Sequence, residues 1–148
     1  MSRGPVHEFR CRLSWTGGDE GPTRSYRAYS RRYRVDFVGK PSLEGSAAPP
    51  FLGEDSRHNP EDLMMAALSA CHCLSYLALC AQRSIAIAKY EDDAWGQLAL
   101  VEGGLQFVEV VLRPRVAVEA RSAERLERAR VLHADAHKQC FIARSVNF

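Results

Sequence analysis

Two cysteines in this sequence are placed where they could carry redox chemistry. Cys71 lies near the middle of a long apolar segment, and Cys140 lies at the end of a second, amphipathic segment. Two thiols on packed helices can form a disulfide if they approach closely enough. A disulfide needs α-carbons within about 7 Å, a distance that the sequence leaves open. The alternative is that both cysteines are small core hydrophobes, the usual role of a free cysteine.

Histidines beside the cysteines raise the alternative of a metal site. His72 stands between Cys71 and Cys73, and His133 and His137 are one helical turn apart, as in helical zinc pairs. On one helix, however, Cys71 and Cys73 would point about 200° apart, too far to share a metal ion. His133 is followed by alanine, where the metalloprotease arrangement has glutamate. We therefore predict neither a metal site nor a cofactor.

The segment around Cys71 predicts a long α-helix from Asn59 to Arg83. Asn59 can cap it, Pro60 suits the first helical position, and two acidic residues follow where the helix dipole favours negative charge. Apolar residues cover nearly its whole circumference, so most of the helix must be buried. Its length of about 24 residues would also span a membrane, but polar residues interrupt it and no signal or stop-transfer pattern accompanies it. We expect a central core helix.

Composition indicates one cytoplasmic domain over residues 1–148. A chain of 148 residues with 46% hydrophobic content can bury a sizeable core. The formal charge of +2 is too balanced for electrostatic binding of nucleic acid over the whole surface. Five irregularly spaced cysteines without a leader peptide do not resemble a secreted disulfide framework. We therefore expect thiols that are reduced at rest.

Alternating apolar residues predict strands on both sides of the central helix. The predicted strands are His7–Trp15, Arg24–Val38, Ile85–Leu100, Phe107–Val118 and Phe141–Phe148, with a loop over residues 39–57. The third and fourth form a hairpin, in which Pro114 must occupy a bulge or an edge because it lacks a ladder donor. Ser122 can cap a second helix that ends at Cys140. This order predicts an α+β domain with a mainly antiparallel sheet.

The segment from Arg24 to Arg34 interleaves five arginines with aromatic residues. Such a pattern could bind single-stranded nucleic acid. Alternation in a strand also turns aromatic residues inward and charges outward without any ligand. We favour the solvated face and predict no nucleic-acid partner.

Three stretches resemble the OsmC/Ohr family of osmotically inducible and organic-hydroperoxide-resistance proteins. NPEDLMMAALSACHCLSYL resembles the family's central-helix signature, and AHKQCFIARSVNF resembles the second-cysteine region of its OsmC-like branch. The loop GSAAPPFLGEDSRHNPEDL resembles the same branch. The resemblance implies an OsmC-like fold, thiol-dependent peroxidase chemistry and an intertwined homodimer in which two central helices are wrapped by sheets from both chains.

The resemblance also assigns site residues. Cys71 matches the peroxide-reacting cysteine, Cys140 the disulfide-forming cysteine, and Glu61 a glutamate that holds a catalytic arginine. Family members keep this arginine in or just after the loop between the first strands, where Arg24 is our choice and Arg27 the alternative. Glu61 lies about 15 Å along the helix from Cys71 and about 80° around it, so a partner chain could supply it.

The implied substrates are an organic hydroperoxide and a dithiol reductant. An apolar pocket lined by Met64, Met65, Leu68 or Phe141 would favour organic hydroperoxides over hydrogen peroxide. The remaining cysteines, Cys11, Cys73 and Cys80, are expected to be buried bystanders. The alternative function is a non-enzymatic stress-response or small-ligand-binding protein on the same fold.

Overall fold

The structure, a computed structural model, describes residues 4–119 and 122–148. Within these residues the chain forms two α-helices and seven strands. The helices are α1 (Pro60–Gln82) and α2 (Ala123–Gln139). The strands are β1 (Cys11–Trp15), β2 (Tyr33–Phe37), β3 (Lys40–Gly45), β4 (Ile87–Asp92), β5 (Trp95–Val101), β6 (Gly104–Val111) and β7 (Pro114–Val118). Every pairing between these strands is antiparallel, which confirms the predicted α+β class.

The contacts of the chain group into two compact units, one ending at Leu63 and one running from Met64 to Phe148. The first unit contains the three-stranded sheet, in the order β1-β2-β3. The second contains two two-stranded sheets, β4-β7 and β5-β6, together with α2 and most of α1. The single domain over residues 1–148 stays a prediction.

The core of the second unit is formed where α2 packs against α1. The buried residues of α1 recur at helical spacing and are Leu68, His72, Tyr76, Leu79 and Cys80. From α2, Ala129, Leu132 and Ala136 form a buried cluster with Tyr76, Leu79 and Cys80 of α1. This packing fixes the position of the end of α2 relative to the middle of α1.

Both predicted helix starts are confirmed by capping contacts. The Asn59 side chain accepts a hydrogen bond of 2.8 Å from the Asp62 N–H, while the Asp62 carboxylate accepts one from the Asn59 N–H. At α2, the Ser122 hydroxyl accepts from the Arg125 N–H at 3.3 Å. Helix α1 begins and ends one residue inside the predicted bounds.

The predicted second strand, Arg24–Val38, is wrong over its first half. Strand β2 begins only at Tyr33, and the residues before it form turns and bends. Arg31 holds this segment: its guanidinium donates to the carbonyl oxygens of Tyr26 and Tyr29 and lies 3.8 Å from the centre of the Tyr29 ring. The arginines and aromatic residues therefore stabilise a loop instead of forming opposite faces of a strand.

The predicted closing strand, Phe141–Phe148, is also wrong. Its centre is a short 3-10 helix, Ala143–Ser145, and the rest has no regular structure. Local contacts occupy its polar groups: the Arg144 N–H donates to the Cys140 carbonyl, and the Ser145 hydroxyl donates to the Phe141 carbonyl. Backbone groups used in such turns cannot join a ladder.

The predicted hairpin is confirmed for β5 and β6, with Trp95 opposite Val111. Each predicted arm is longer than its strand, however, and the remainders form a separate pair, β4 with β7. The division between β6 and β7 occurs where Asp92 Oδ1 accepts from the Arg113 N–H at 2.6 Å. Pro114 is thus the first residue of β7, a position that tolerates a missing donor.

Two smaller differences concern the first unit. Strand β1 begins at Cys11, not His7, and β3 forms inside the segment predicted as a loop. Proline is tolerated there because β3 lies at the edge of its sheet, where Pro41 needs no ladder donor.

Helix α1 is long and apolar enough to cross a membrane by length and composition, with a mean hydropathy of 1.7 in its most apolar window. The core helix of a soluble protein meets the same criterion.

Candidate redox site

The structure brings Cys71 and Cys140 together. Cys71 lies in the middle of α1, and Cys140 follows the last residue of α2, so the packing of the two helices sets their separation. Both cysteines are reduced, and each thiol lies close enough to the other to shift its pKa. Cys140 is only 1% exposed, whereas Cys71 is half-buried. The pair is therefore arranged as one accessible thiol backed by one buried thiol.

Polar groups around Cys71 favour its thiolate. Burial raises the pKa of Cys71, but hydrogen bonds from the Cys140 thiol, from the backbone N–H groups of Ile142 and Phe141, and from the Ser75 hydroxyl lower it more. The net pKa lies below the ordinary value. The two backbone donors belong to the turn that replaces the predicted closing strand, which is why the sequence did not identify them.

The pKa of Cys140 is shifted in the opposite direction, above its ordinary value. Burial raises its pKa most, and the neighbouring Cys71 raises it further, while the N–H groups of Ala143 and Ile142 partly oppose this effect. The Ala143 N–H lies 3.4 Å from the Cys140 sulfur. The arrangement can thus hold Cys71 as the thiolate and Cys140 as its protonated donor.

The other three cysteines have different surroundings. Cys80 is fully buried in the core, and burial raises its pKa. Cys73 is half-buried, and burial followed by the charge of Asp92 raises its pKa. Cys11 is exposed on β1, so the prediction that it is buried is wrong. None of the three has the combination of donors that surrounds Cys71 among the described residues.

A cavity of about 210 Å³ in the second unit borders Cys140. Its apolar wall consists of Leu68, Val108, Val110, Leu112, Ala143, Val146 and Phe148. Three polar side chains complete it, those of His72, His137 and Glu109. Of the four residues predicted to line an apolar pocket, Leu68 lines this cavity, whereas Phe141 is 77% exposed.

Two histidines form a pair that the sequence did not predict. His72 Nε2 and His133 Nδ1 are 3.1 Å apart. The Tyr76 ring stacks on His133 with 3.9 Å between ring centres, and its hydroxyl donates to the Ala129 carbonyl. His133 therefore pairs with His72 on α1. The metal alternative would have required it to pair with His137 on its own helix. Across residues 4–119 and 122–148, no group of three or more histidine, cysteine or acidic side chains could hold a metal ion.

The predicted glutamate lies in the first turn of α1. Glu61 Oε2 is buried and has no hydrogen-bond partner among the residues the structure describes, and the same holds for the Tyr33 hydroxyl. Burial and then the nearby charge of Glu61 raise the pKa of Tyr33. A buried carboxylate oxygen without a donor costs about 1 to 3 kcal/mol, so this oxygen is ready to accept a hydrogen bond.

The two arginine candidates lie in the loop before β2. Arg24 and Arg27 are both exposed, and the ion pairs found among the described residues include neither. Arg27 lines a cavity of about 370 Å³ in the first unit. By contrast, Arg32 is held by Glu54 and Glu20, which together raise its pKa.

Comparison with known proteins gives one family match and several similar solved structures. The sequence profile of the family described as OsmC-like protein matches residues 53–148. An OsmC-like protein of unknown function from Vibrio cholerae is 31% identical, with a TM-score of 0.86 over 96% of this chain and 95% of that chain. Among curated protein sequences, no match is found.

Two more distant structures share the fold. An organic hydroperoxide resistance protein from Elizabethkingia anophelis is 20% identical, with a TM-score of 0.72 over 97% of this chain and 90% of that chain. The organic hydroperoxide resistance protein OhrB of Bacillus subtilis is 20% identical, with a TM-score of 0.59 over 93% of this chain and 90% of that chain.

Proposed function

The chain belongs to the OsmC-like protein family, and on that premise we propose that it is a thiol-dependent peroxidase that reduces organic hydroperoxides. Cys71 reacts with the peroxide and Cys140 resolves the product. The observation that carries the proposal is the neighbouring pair of thiols, in which the pKa of Cys71 is lowered and that of Cys140 is raised. A nucleophile and a protonated resolving thiol need these opposite properties.

The reaction proceeds in three steps. The Cys71 thiolate attacks the terminal peroxide oxygen, the O–O bond breaks, and the leaving alkoxide takes a proton to give the alcohol. Cys140 then attacks the sulfenic sulfur of Cys71; a disulfide forms and water leaves. A dithiol reductant returns two electrons and two protons, which restores both thiols.

Organic hydroperoxides suit the cavity next to Cys140. Its wall is mostly aliphatic, and its volume of about 210 Å³ accommodates a small apolar group. Burial of that group adds hydrophobic binding energy that hydrogen peroxide cannot supply. We expect a higher kcat/KM for cumene hydroperoxide than for hydrogen peroxide.

Glu61 and an arginine complete the proposed chemistry. An arginine lowers the pKa of a neighbouring thiol without losing its own charge, and a carboxylate orients it through charge-assisted hydrogen bonds. The partnerless Oε2 of Glu61 supports this role for Glu61. Arg24 is the arginine we propose, with Arg27 as the alternative, because neither is held by an ion pair within the part of the chain that the structure describes.

The test of the proposed function is consumption of cumene hydroperoxide by the purified chain with dithiothreitol as reductant. We expect catalytic consumption, with many peroxide molecules reduced per chain. Consumption no faster than that of dithiothreitol alone would favour the alternative, a non-enzymatic stress-response or small-ligand-binding protein.

We further propose a cytoplasmic homodimer. Only 28% of the most apolar 18-residue stretch of α1 is buried within one chain, and Leu74 on this helix is 68% exposed. Apolar surface of this kind is usually covered by a partner, and a two-fold dimer is the commonest arrangement. Five free cysteines fit a reducing compartment.

Sedimentation equilibrium at micromolar concentration should therefore give twice the mass of one chain, 16.6 kDa. Leu74→Glu should shift the equilibrium towards monomer, because it places a charge on the apolar face of α1. The matched control is Lys138→Glu, a charge change on an exposed residue of α2. A well-folded monomer for the unmodified chain would contradict the dimer and with it any site shared between two chains.

A further inference from the structure

A histidine with no assigned role in the proposed peroxidase reaction borders the cavity beside Cys140. His72 is buried, lies directly after Cys71 on α1, and lines this cavity together with Cys140. Its Nε2 is 3.1 Å from His133 Nδ1, and His133 is itself fixed by stacking on Tyr76. A buried imidazole that is held in one orientation and shares a cavity wall with a thiol is an arrangement suited to proton transfer.

The disulfide-forming step needs such a group. Cys140 must lose its proton before it attacks, yet its buried position and the neighbouring Cys71 both favour the protonated thiol. The sulfenic oxygen of Cys71 must gain a proton before it leaves as water. One base that takes the first proton and supplies the second satisfies both needs without any other reactant.

Resting on the proposed function, we propose that His72 is the general base of the disulfide-forming step and that His133 is its positioning residue. His72 takes the proton as the S–H bond of Cys140 breaks. The Cys140 sulfur bonds to the Cys71 sulfur, the S–O bond of the sulfenic acid breaks, and the leaving hydroxide takes that proton to form water. His72 ends the step neutral, as it began.

The charges around His72 keep it in the form that accepts a proton. Burial and the neighbouring His137 lower the pKa of His72, and Asp92 opposes them only in part. Burial and then His72 also lower the pKa of His133, so the pair is neutral at neutral pH. The charged groups that act on the pair are His137 from α2 and Asp92 from β4. Cys140, which follows α2, and Glu109 from β6 line the cavity together with His72.

The Asp92 carboxylate is already held by two other groups. Its carboxylate accepts a hydrogen bond from the Ser69 hydroxyl at 2.5 Å and one from the Arg113 N–H at 2.6 Å. When His72 Nε2–H donates to His133 Nδ1, the Nδ1 of His72 is the atom that accepts the proton. His133 thus selects the tautomer of His72 and helps to spread its transient charge.

The test separates this step from peroxide reduction. In a Cys11→Ser, Cys73→Ser background, dithionitrobenzoate labels Cys71 and releases one thionitrobenzoate; attack by Cys140 then releases a second. The second release reports deprotonation of Cys140 whether or not the chain consumes peroxides. At pH 7 we expect His72→Asn to slow the second release about 100-fold and to leave the first unchanged.

The pH profile and two controls make the assignment specific. The rate in His72→Asn should recover as pH rises, because Cys140 then ionises without a base, and free imidazole should restore part of the rate in His72→Ala. His133→Asn should shift the pH midpoint of the second release, whereas His7→Asn should change nothing.

A second release as fast in His72→Asn as in the parent, or one slowed by His137→Asn and not by His72→Asn, would overturn the proposal. Absence of peroxide consumption with a slowed second release would instead count against the peroxidase function alone.

Discussion

Replacing Cys71 with serine is expected to abolish turnover of cumene hydroperoxide. A serine hydroxyl does not ionise near neutral pH, and the donors around position 71 cannot make it a nucleophile towards peroxide oxygen. We expect a loss of at least about 1,000-fold in kcat/KM, measured as peroxide consumption with dithiothreitol.

Cys73→Ser is the matched control, because Cys73 lies two residues further along the same helix. Burial and Asp92 raise the pKa of its thiol, so its removal should leave kcat within about twofold. Full activity of Cys71→Ser, or loss of activity only in Cys73→Ser, would show that a different thiol reacts with the peroxide.

Cys140→Ser separates the first chemical step from recycling. The variant should still reduce one hydroperoxide per chain, because the Cys71 thiolate keeps the backbone donors of Ile142 and Phe141. Steady-state turnover should fall, and Cys71 should advance to the sulfinic acid for lack of a resolving thiol. Mass spectrometry of the oxidised chain measures this outcome directly.

One equivalent of cumene hydroperoxide is expected to join Cys71 to Cys140 in nearly every chain. The two thiols are already neighbours, so we expect disulfide formation to need only a small movement. Peptide mapping under non-reducing conditions should recover this bridge within one chain, with Cys11 and Cys80 still reduced.

Chains of two isotopic labels, mixed before oxidation, distinguish a bridge within one chain from a bridge between two. A bridge between Cys71 and Cys73, a bridge between differently labelled chains, or free Cys140 after complete oxidation would contradict the resolving role. Cys73→Ser should give the same bridge as the unmodified chain, which controls for exchange between neighbouring thiols.

Local signals in the sequence determined the helices and the hairpin. The start of α1 depends on contacts between Asn59 and Asp62, and the start of α2 on a contact between Ser122 and Arg125, each only three residues apart. The β5-β6 turn similarly depends on Gly103, whose φ of 99° favours glycine. Such contacts form within a few residues, so residue types and spacing are enough to predict them.

Alternation of apolar and polar residues predicted strands less well where side chains or backbone groups had other hydrogen-bond partners. The segment before β2 alternates well enough to predict a strand, but Arg31 binds two carbonyl oxygens of its own loop. After α2, contacts within the turn occupy the backbone that a closing strand would have needed. Hydrogen bonds from side chains to nearby backbone groups competed with the sheet and prevailed in both places.

The sequence by itself determined the family resemblance, the two helices and the choice of Cys71 and Cys140. Only the tertiary structure decided that these thiols are neighbours, that backbone N–H groups of a turn lower the pKa of Cys71, and that His72 pairs with His133. The two histidines are 61 residues apart in the chain, and their distance depends on how α2 packs on α1. No local pattern records such a distance, because it results from burying side chains of both helices, such as Tyr76 and Ala129, in one core.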